Sequence, residues 1–260
     1  MPFLTKSHWF SRLYGCMQKM KTSKKKIPAF IEKFQADTSE YLEPVSSFSS
    51  FNDFFIRKLK KEARPIAEGE KVASLPADGR YLVFPDTSKG DHFYIKGQRL
   101  NIDLLLQDKA LANEYKDASV VFARLCPTDY HRFHFPCDCV PSEPRLINGY
   151  LHSVNPMALR KNISILSENK RVVTELETKE FGKVLYIEVG AVAVGSIKQT
   201  FTPGKSYSKG DEKGYFEFGG SSVLLLFKQG TITFEEDLIS ASSEKLEIKA
   251  NMGECLGKAT

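Results

Sequence analysis

The chain has 260 residues, 42% hydrophobic and 27% charged, enough for one large globular domain with an appendage. Its formal net charge of +5 is mildly basic, which by itself points to neither nucleic acid nor membrane. Five irregularly spaced cysteines exclude a disulfide framework and suit a reducing compartment; no apolar stretch is long enough to span a bilayer, and the N-terminus lacks the features of a secretory signal.

The charge is uneven. Lys6, Arg12, Lys19, Lys21, Lys24, Lys25 and Lys26 all precede the first acidic residue, Glu32. In "SHWFSRLYGCMQKM", Trp9, Phe10, Leu13, Cys16, Met17 and Met20 recur every three or four residues, which predicts a helix over 7–20 capped by Ser7. "KTSKKK" breaks the pattern, and "IPAFIEKFQAD" predicts a second short helix with Pro28 in its first turn. A basic amphipathic helix suits a membrane interface, where each basic residue near an anionic surface adds about 1 kcal/mol. It equally suits packing on its own domain, with the lysines in water.

A Ser-rich stretch and a short helix starting near Asn52 follow. After Arg64-Pro65 short β-rich segments alternate with turn residues: "RYLVF", "SVVFARL", "GYLHSV", "SILSE", "RVVTELE", "KVLYIEVGAVAVGSI", "SSVLLLF", "TITF" and "EKLEIK". Only "NIDLLLQ" reads as a helix among them. The expected class is α+β, a mainly antiparallel sheet or barrel-like core behind N-terminal amphipathic helices. Residues 1–48 form the basic helical segment and 49–260 the β-rich domain.

Three loops gather polar residues among turn formers. "SLPADGRYLVF" holds Asp78, "RLCPTDYHRFHFPCDCVP" holds His131 and His134, and "YFEFGGSSVLLLF" holds Ser221. Each has an ordinary explanation: an Asp-Gly turn, partly buried histidines, a Gly-Ser loop. Together they spell Ser, His and Asp, the set in which a histidine accepts the serine's proton and a carboxylate orients the histidine. The serine is not in a G-x-S-x-G elbow, because Val223 follows Ser222 where glycine would be needed. Cys137 and Cys139, one residue apart with no second Cys/His pair at a recognised spacing, read as structural thiols rather than metal ligands. No metal is expected.

The chain resembles the phosphatidylserine decarboxylase family at "FNDFFIRKLKKEARPI", "LPADGR", "IKGQRLNIDLLL", "RLCPTDYHRFHFP", "GYLHSVNPMALR", "VLYIEVGAVAVGSI" and "KGDEKGYFEFGGSSVLLLF". The order and number of these segments make the resemblance specific over nearly the whole chain. It implies self-cleavage between Gly220 and Ser221, giving a β chain of 1–220 and an α chain of 221–260 that stay together as a heterodimer. Asp78, His134 and Ser221 would be the processing triad. Ser221 would attack the Gly220 carbonyl; the ester would eliminate, and loss of ammonia would leave a pyruvoyl group, the covalent cofactor. That group would form a Schiff base with phosphatidylserine and draw off the electrons released with CO2, as pyridoxal phosphate does elsewhere. His131 would reprotonate the α-carbon, giving phosphatidylethanolamine.

A lipid substrate favours the membrane reading of the N-terminus, with Trp9, Phe10 and Leu13 inserted and residues 1–35 on an anionic surface. The expected location is peripheral, on the cytoplasmic face of the cell membrane; a homo-oligomer is left open, and nucleic acid is not expected as a partner. Two positions depart from the family pattern: Ser222 stands where threonine is common, and Cys139 where glycine is. The rival readings are a pyruvoyl-dependent decarboxylase of soluble amino acids or adenosylmethionine, a Ser-His-Asp hydrolase with unprocessed Ser221, and an inactive lipid-binding homologue.

Overall fold

A computed structural model describes residues 15–86, 94–95, 98–191, 197–219 and 221–260. The strands are β1 (Val72–Ser74), β2 (Gly79–Phe84), β3 (Tyr94–Ile95), β4 (Gln98–Arg99), β5 (Ser119–Leu125), β6 (Arg132–His134), β7 (Val140–Pro141) and β8 (Arg145–Ile147). They continue as β9 (Arg171–Glu177), β10 (Lys183–Gly190), β11 (Ile197–Gln199), β12 (Glu212–Phe216), β13 (Ser221–Phe227), β14 (Ile232–Phe234), β15 (Ile248–Ala250) and β16 (Cys255–Ala259). The fold is α+β. A large sheet runs in the order β15-β2-β5-β13-β10-β9-β7, with β8 also on β9. A second sheet is β11-β12-β6, a third is β1-β16-β14, and β3 pairs with β4. Every pair is antiparallel.

The continuous apolar run in β13 follows from burial on both faces. Side chains alternate across a sheet, so Val223, Leu225 and Phe227 enter one core cluster while Leu224 and Leu226 enter the other. All five are buried, each contributing roughly 1.5–3 kcal/mol. By the same alternation Ser221 falls on the Val223 side and Ser222 on the Leu224 side. The second sheet packs on the Val223 side: Phe133 of β6 and Phe216 of β12 share a cluster with Tyr186 of β10. Gly214 of β12 is needed there, because a Cβ would collide with the Lys198 carbonyl and the Phe133 ring.

Helices Ile27–Phe34, Phe51–Phe55 and Ile102–Leu106 match the expected ones. Ser50 caps the second through the Asp53 N–H, and Asn101 caps the third through Leu104. "KTSKKK" forms 3-10 turns over Lys21–Lys26. The β-rich region holds more helix than expected. "SILSE" is not a strand but contains helix Ile165–Glu168, whose adjacent Ile165 and Leu166 both enter the core, a helical rather than an alternating pattern. "GYLHSV" is not a strand either; it leads through one isolated bridge at Tyr150 to helix Pro156–Lys161, capped by Asn155. Helices Lys109–Glu114 and Glu236–Ser243 were also outside the expectation.

The predicted N-terminal helix lies largely outside the described residues, Trp9, Phe10 and Leu13 included; residues 15–19 are helical. Beyond it, Ile27, Tyr41 and Phe48 join Phe51 and Phe54 in a third apolar cluster, with Phe218 against it. Lys19 pairs with Glu217 at 2.7 Å, and Lys24 donates to the Ser46 carbonyl. Among the described residues no helix is long and apolar enough to cross a membrane.

Candidate active site

Ser221 opens the central strand of the large sheet, opposite Gly190 of β10 and Leu125 of β5. It is fully buried, and its Oγ has no hydrogen-bond partner among the described residues. Gly220 lies outside the described residues. Gly219, just before it, has φ of +141°, a torsion that L side chains resist. Helix Phe51–Phe55 holds this approach. Asn52 Oδ1 accepts from the Phe218 N–H at 3.0 Å, and the Phe218 ring lies 5.2 Å from Phe51 and 5.0 Å from Phe55.

His131 stands beside that approach. Its carbonyl accepts from the Phe216 N–H, and its ring lies 4.0 Å from Phe55. Nδ1 donates to the Asp129 carbonyl at 2.9 Å, leaving Nε2 as the free nitrogen, with no hydrogen-bond partner among the described residues. Burial pushes the imidazole down to about 3, against the Asp129 and Gly219 carbonyls, which favour the proton; the nearby Arg57 charge adds to the fall. His131 is thus neutral at pH 7 and close to the Gly219 carbonyl, and its Nε2 has no well-formed hydrogen bond among the described residues.

His134 sits at the other end of β6, opposite Glu212 of β12. Its Nδ1 donates to the Gly210 carbonyl at 2.9 Å, and Nε2 lies 3.3 Å from the Tyr130 hydroxyl. Burial lowers its proton affinity too, opposed by the Gly210 carbonyl. Asp78 is buried and takes two hydrogen bonds from Arg64, at 2.9 and 2.7 Å, and one from the Met252 N–H at 2.9 Å. Asp78 and His134 are neighbours through the backbone, since the His134 N–H donates to the Pro76 carbonyl. Their side chains are not bonded to each other, and neither is bonded to Ser221. β6 carries His134, with His131 just before it, and β13 of the large sheet opens with the serine.

The two sheets are joined by a buried ion pair absent from the sequence reading. Lys213 of β12 reaches Glu188 of β10 at 2.5 Å, with Thr174 and Gln199 oxygens at 3.0 Å, and both charged residues are fully buried. Glu188 pairs with Val223, so it lies on the Ser221 face one row along the sheet. The signal was a lone carboxylate inside the apolar run "VLYIEVG". Arg64, Tyr130 and Phe55 were also missed as site neighbours. Ser222 is fully buried, and its Oγ has no partner among the described residues. Cys139 is a buried thiol pushed up to about 12 by burial, and its backbone bridges to Tyr207. Among the described residues no group of three His, Cys, Asp or Glu is placed to hold a metal.

A cleft of about 370 Å³ runs from the surface at Phe34 and Asp37 inward to Asp78, Asp129 and Tyr130. Asp129 and Tyr130 in its lining are hydrogen-bond partners of His131 and His134.

The family model described as phosphatidylserine decarboxylase matches residues 51–258. The chain is 51% identical over 256 residues to the phosphatidylserine decarboxylase proenzyme of Chlamydia muridarum, covering 98% of this chain and 85% of that one. It is 51% identical over 256 residues to the proenzyme of the same description from Chlamydia caviae, covering 98% and 86%. For the one from Chlamydia pneumoniae the identity is 50% over 257 residues, covering 99% and 85%.

Proposed function

The chain belongs to the phosphatidylserine decarboxylase family, and we propose that it converts phosphatidylserine to phosphatidylethanolamine using a pyruvoyl group made from its own Ser221. The observation that carries this reading is the state of Ser221: buried, unpartnered, and entered through a glycine in a conformation other residues avoid. Ser221 attacks the Gly220 carbonyl, the chain is cut there, and fragments 1–220 and 221–260 remain one body.

The surroundings fit a pyruvoyl group at this position. It has no amide N–H, and the first residue of a strand loses that donor with least damage to the ladder. Its carbonyls are acceptors, and His131 Nε2, an acceptor in the neutral ring, would donate to them only after gaining a proton. When formed, it supplies the electron sink for loss of CO2. With its Nδ1–H held by the Asp129 carbonyl, neutral His131 presents Nε2 as a base, so it would first take up a proton, such as one shed by the substrate ammonium, and then return it to the α-carbon.

Asp78 and His134 serve the cut. For His134 to take the Ser221 proton, its Nε2 exchanges the Tyr130 hydroxyl for the serine, and Asp78, held by Arg64, stabilises the imidazolium through space. A second reading rests on His131 alone, because it is the histidine beside Gly219 and its Nε2 is free. There His131 takes the serine proton as well. Intact-mass analysis separates the two. In the first reading His131→Ala cuts and His134→Ala does not; in the second His131→Ala stays uncut.

The same reading makes the protein peripheral at the cytoplasmic face of the membrane, with residues 1–35 on anionic lipid and 49–260 as the catalytic domain. Removing 1–35 is expected to abolish co-sedimentation with anionic liposomes; unchanged sedimentation removes that part of the proposal.

A further inference from the structure

Among the described residues two arginines, Arg57 and Arg171, are buried without a carboxylate partner, and they differ in one respect. Arg171 is fully buried, and Nε and both terminal nitrogens donate to the carbonyls of Leu105, Asn169 and Leu104 at 2.5–2.7 Å. Its donors are engaged by short bonds. Arg57 is 5% exposed and has only long contacts: 3.5 Å to the Phe54 and Phe55 carbonyls and 3.3 Å to that of Thr128. Its Nε has no partner among the described residues. The guanidinium lies over the rings of Tyr41, at 4.9 Å, and Phe54, at 5.1 Å. Tyr41 is itself buried; its hydroxyl has no well-formed hydrogen bond among the described residues and feels only the nearby Arg57 guanidinium. Both residues line the cleft that runs in to Asp78 and Tyr130.

A desolvated charge held this loosely is costly unless an anion completes it. The carboxylates of the same cleft are already committed: Glu40 and Asp78 to Arg64, Asp129 to Arg80 and the Cys126 N–H, and Asp37 at the mouth to the Ser39 N–H and hydroxyl. The anion must therefore come from outside. We propose that Arg57, with the Tyr41 hydroxyl beside it, is the subsite that holds the phosphodiester of the substrate headgroup. This rests on the decarboxylase reading above and goes beyond it by naming the group that binds the lipid's negative charge.

The phosphodiester suits Arg57 better than the substrate carboxylate does. The carboxylate must lose its charge in the transition state, so an arginine clamped on it would stabilise the ground state and slow the reaction. The phosphodiester keeps its charge throughout, and planar guanidinium donors match its oxygens. Arg57 also sits two residues beyond Phe55, whose ring packs on His131. Holding the phosphate there fixes the headgroup relative to that histidine.

The test uses the full chain, wild type and Arg57→Gln, checked first for cutting by intact mass. Calorimetry then measures binding of glycerophosphoserine, glycerophosphoethanolamine, serine and inorganic phosphate. The expected result is a loss of about ten-fold or more for both diesters in Arg57→Gln, with serine unchanged, the scale of one charge-assisted hydrogen bond. Phosphate is expected to bind more weakly than either diester. If Arg57→Gln does not fold, Tyr41→Phe keeps the ring packing and is expected to weaken the diesters about three-fold or more. Diester binding indifferent to both variants overturns the proposal. So does a loss confined to serine and glycerophosphoserine, which assigns Arg57 to the carboxylate, or phosphate binding as tightly as the diesters, which makes it a free-anion site. A wild type that is uncut and inactive on phosphatidylserine removes the parent reading instead; a cut, active enzyme indifferent to Arg57 removes only this one.

Discussion

Replacing Lys213 by methionine removes the cation and keeps most of the side-chain volume. Glu188 is then a carboxylate with no exposed surface, and Thr174 and Gln199 each lose a partner. Removing one member of a buried pair costs about 3–5 kcal/mol. The cost depends on pH. Burial already raises the proton affinity of Glu188 and is opposed chiefly by the Lys213 charge, so loss of Lys213 drives the folded-state pKa further above its unfolded value. A raised pKa gives stability that is full below the unfolded pKa and falls as pH rises through the folded one. Urea unfolding in a Ser221→Ala background, which keeps one uncut chain, is expected to show a deficit of about 3–5 kcal/mol near pH 8 that narrows near pH 5. Lys213→Met with Glu188→Leu is expected to return to within about 1 kcal/mol of the parent or above it. A deficit under about 1 kcal/mol at pH 8, or one that ignores pH, would refute the reasoning.

Ser221→Ala is expected to give a single uncut chain and no decarboxylation, where the wild type gives a fragment beginning at residue 221 with the pyruvoyl mass; two fragments from the variant would sink the nucleophile assignment. His131 predicts acid lability. Its folded pKa of about 3 lies below the ordinary 6.5, so its contribution is present above 6.5 and is lost as pH falls from there towards 3. The gap is worth up to roughly 5 kcal/mol, and His131→Phe is expected to flatten the stability slope over that window; an unchanged slope excludes His131 as its source. Arg64→Met strips Asp78 of two hydrogen bonds and is expected to slow cutting at least about ten-fold, read as the rate of fragment appearance on gels.

The elements that carry the chemistry were the most legible in sequence. β13 announced itself through an unbroken apolar run, and glycines before Ser221 marked a backbone that needs unusual torsions. Asp78, His131 and His134 were readable as residues, but their geometry was not. β6 is three residues long between prolines, too short for periodicity to say which way each histidine faces. Arg57 and Arg64 were hidden in "IRKLKKEARP", where five basic residues look alike and only tertiary burial separates a buried guanidinium from solvated lysines. "SILSE" misled because a four-residue helix and a short strand have nearly the same composition, and Ile165 next to Leu166 was the one discriminating sign.

The position of the proposed cut has a topological consequence. Fragment 221–260 would carry β13 at the centre of the large sheet, β15 at its edge, and β14 and β16 in a different sheet around β1. Strand β13 is laced to β5 from Ser221 to Phe227 and to β10 from Ser221 to Leu226. The two pieces are therefore interlocked like a mortise and tenon, and their separation is global unfolding by another name. Their affinity for each other has no independent value: the denaturant that parts them is the one that melts the fold. A fragment pair made separately is expected to assemble only by co-folding, and the proposed maturation step would be irreversible in practice although only packing and strand hydrogen bonds would hold its products together.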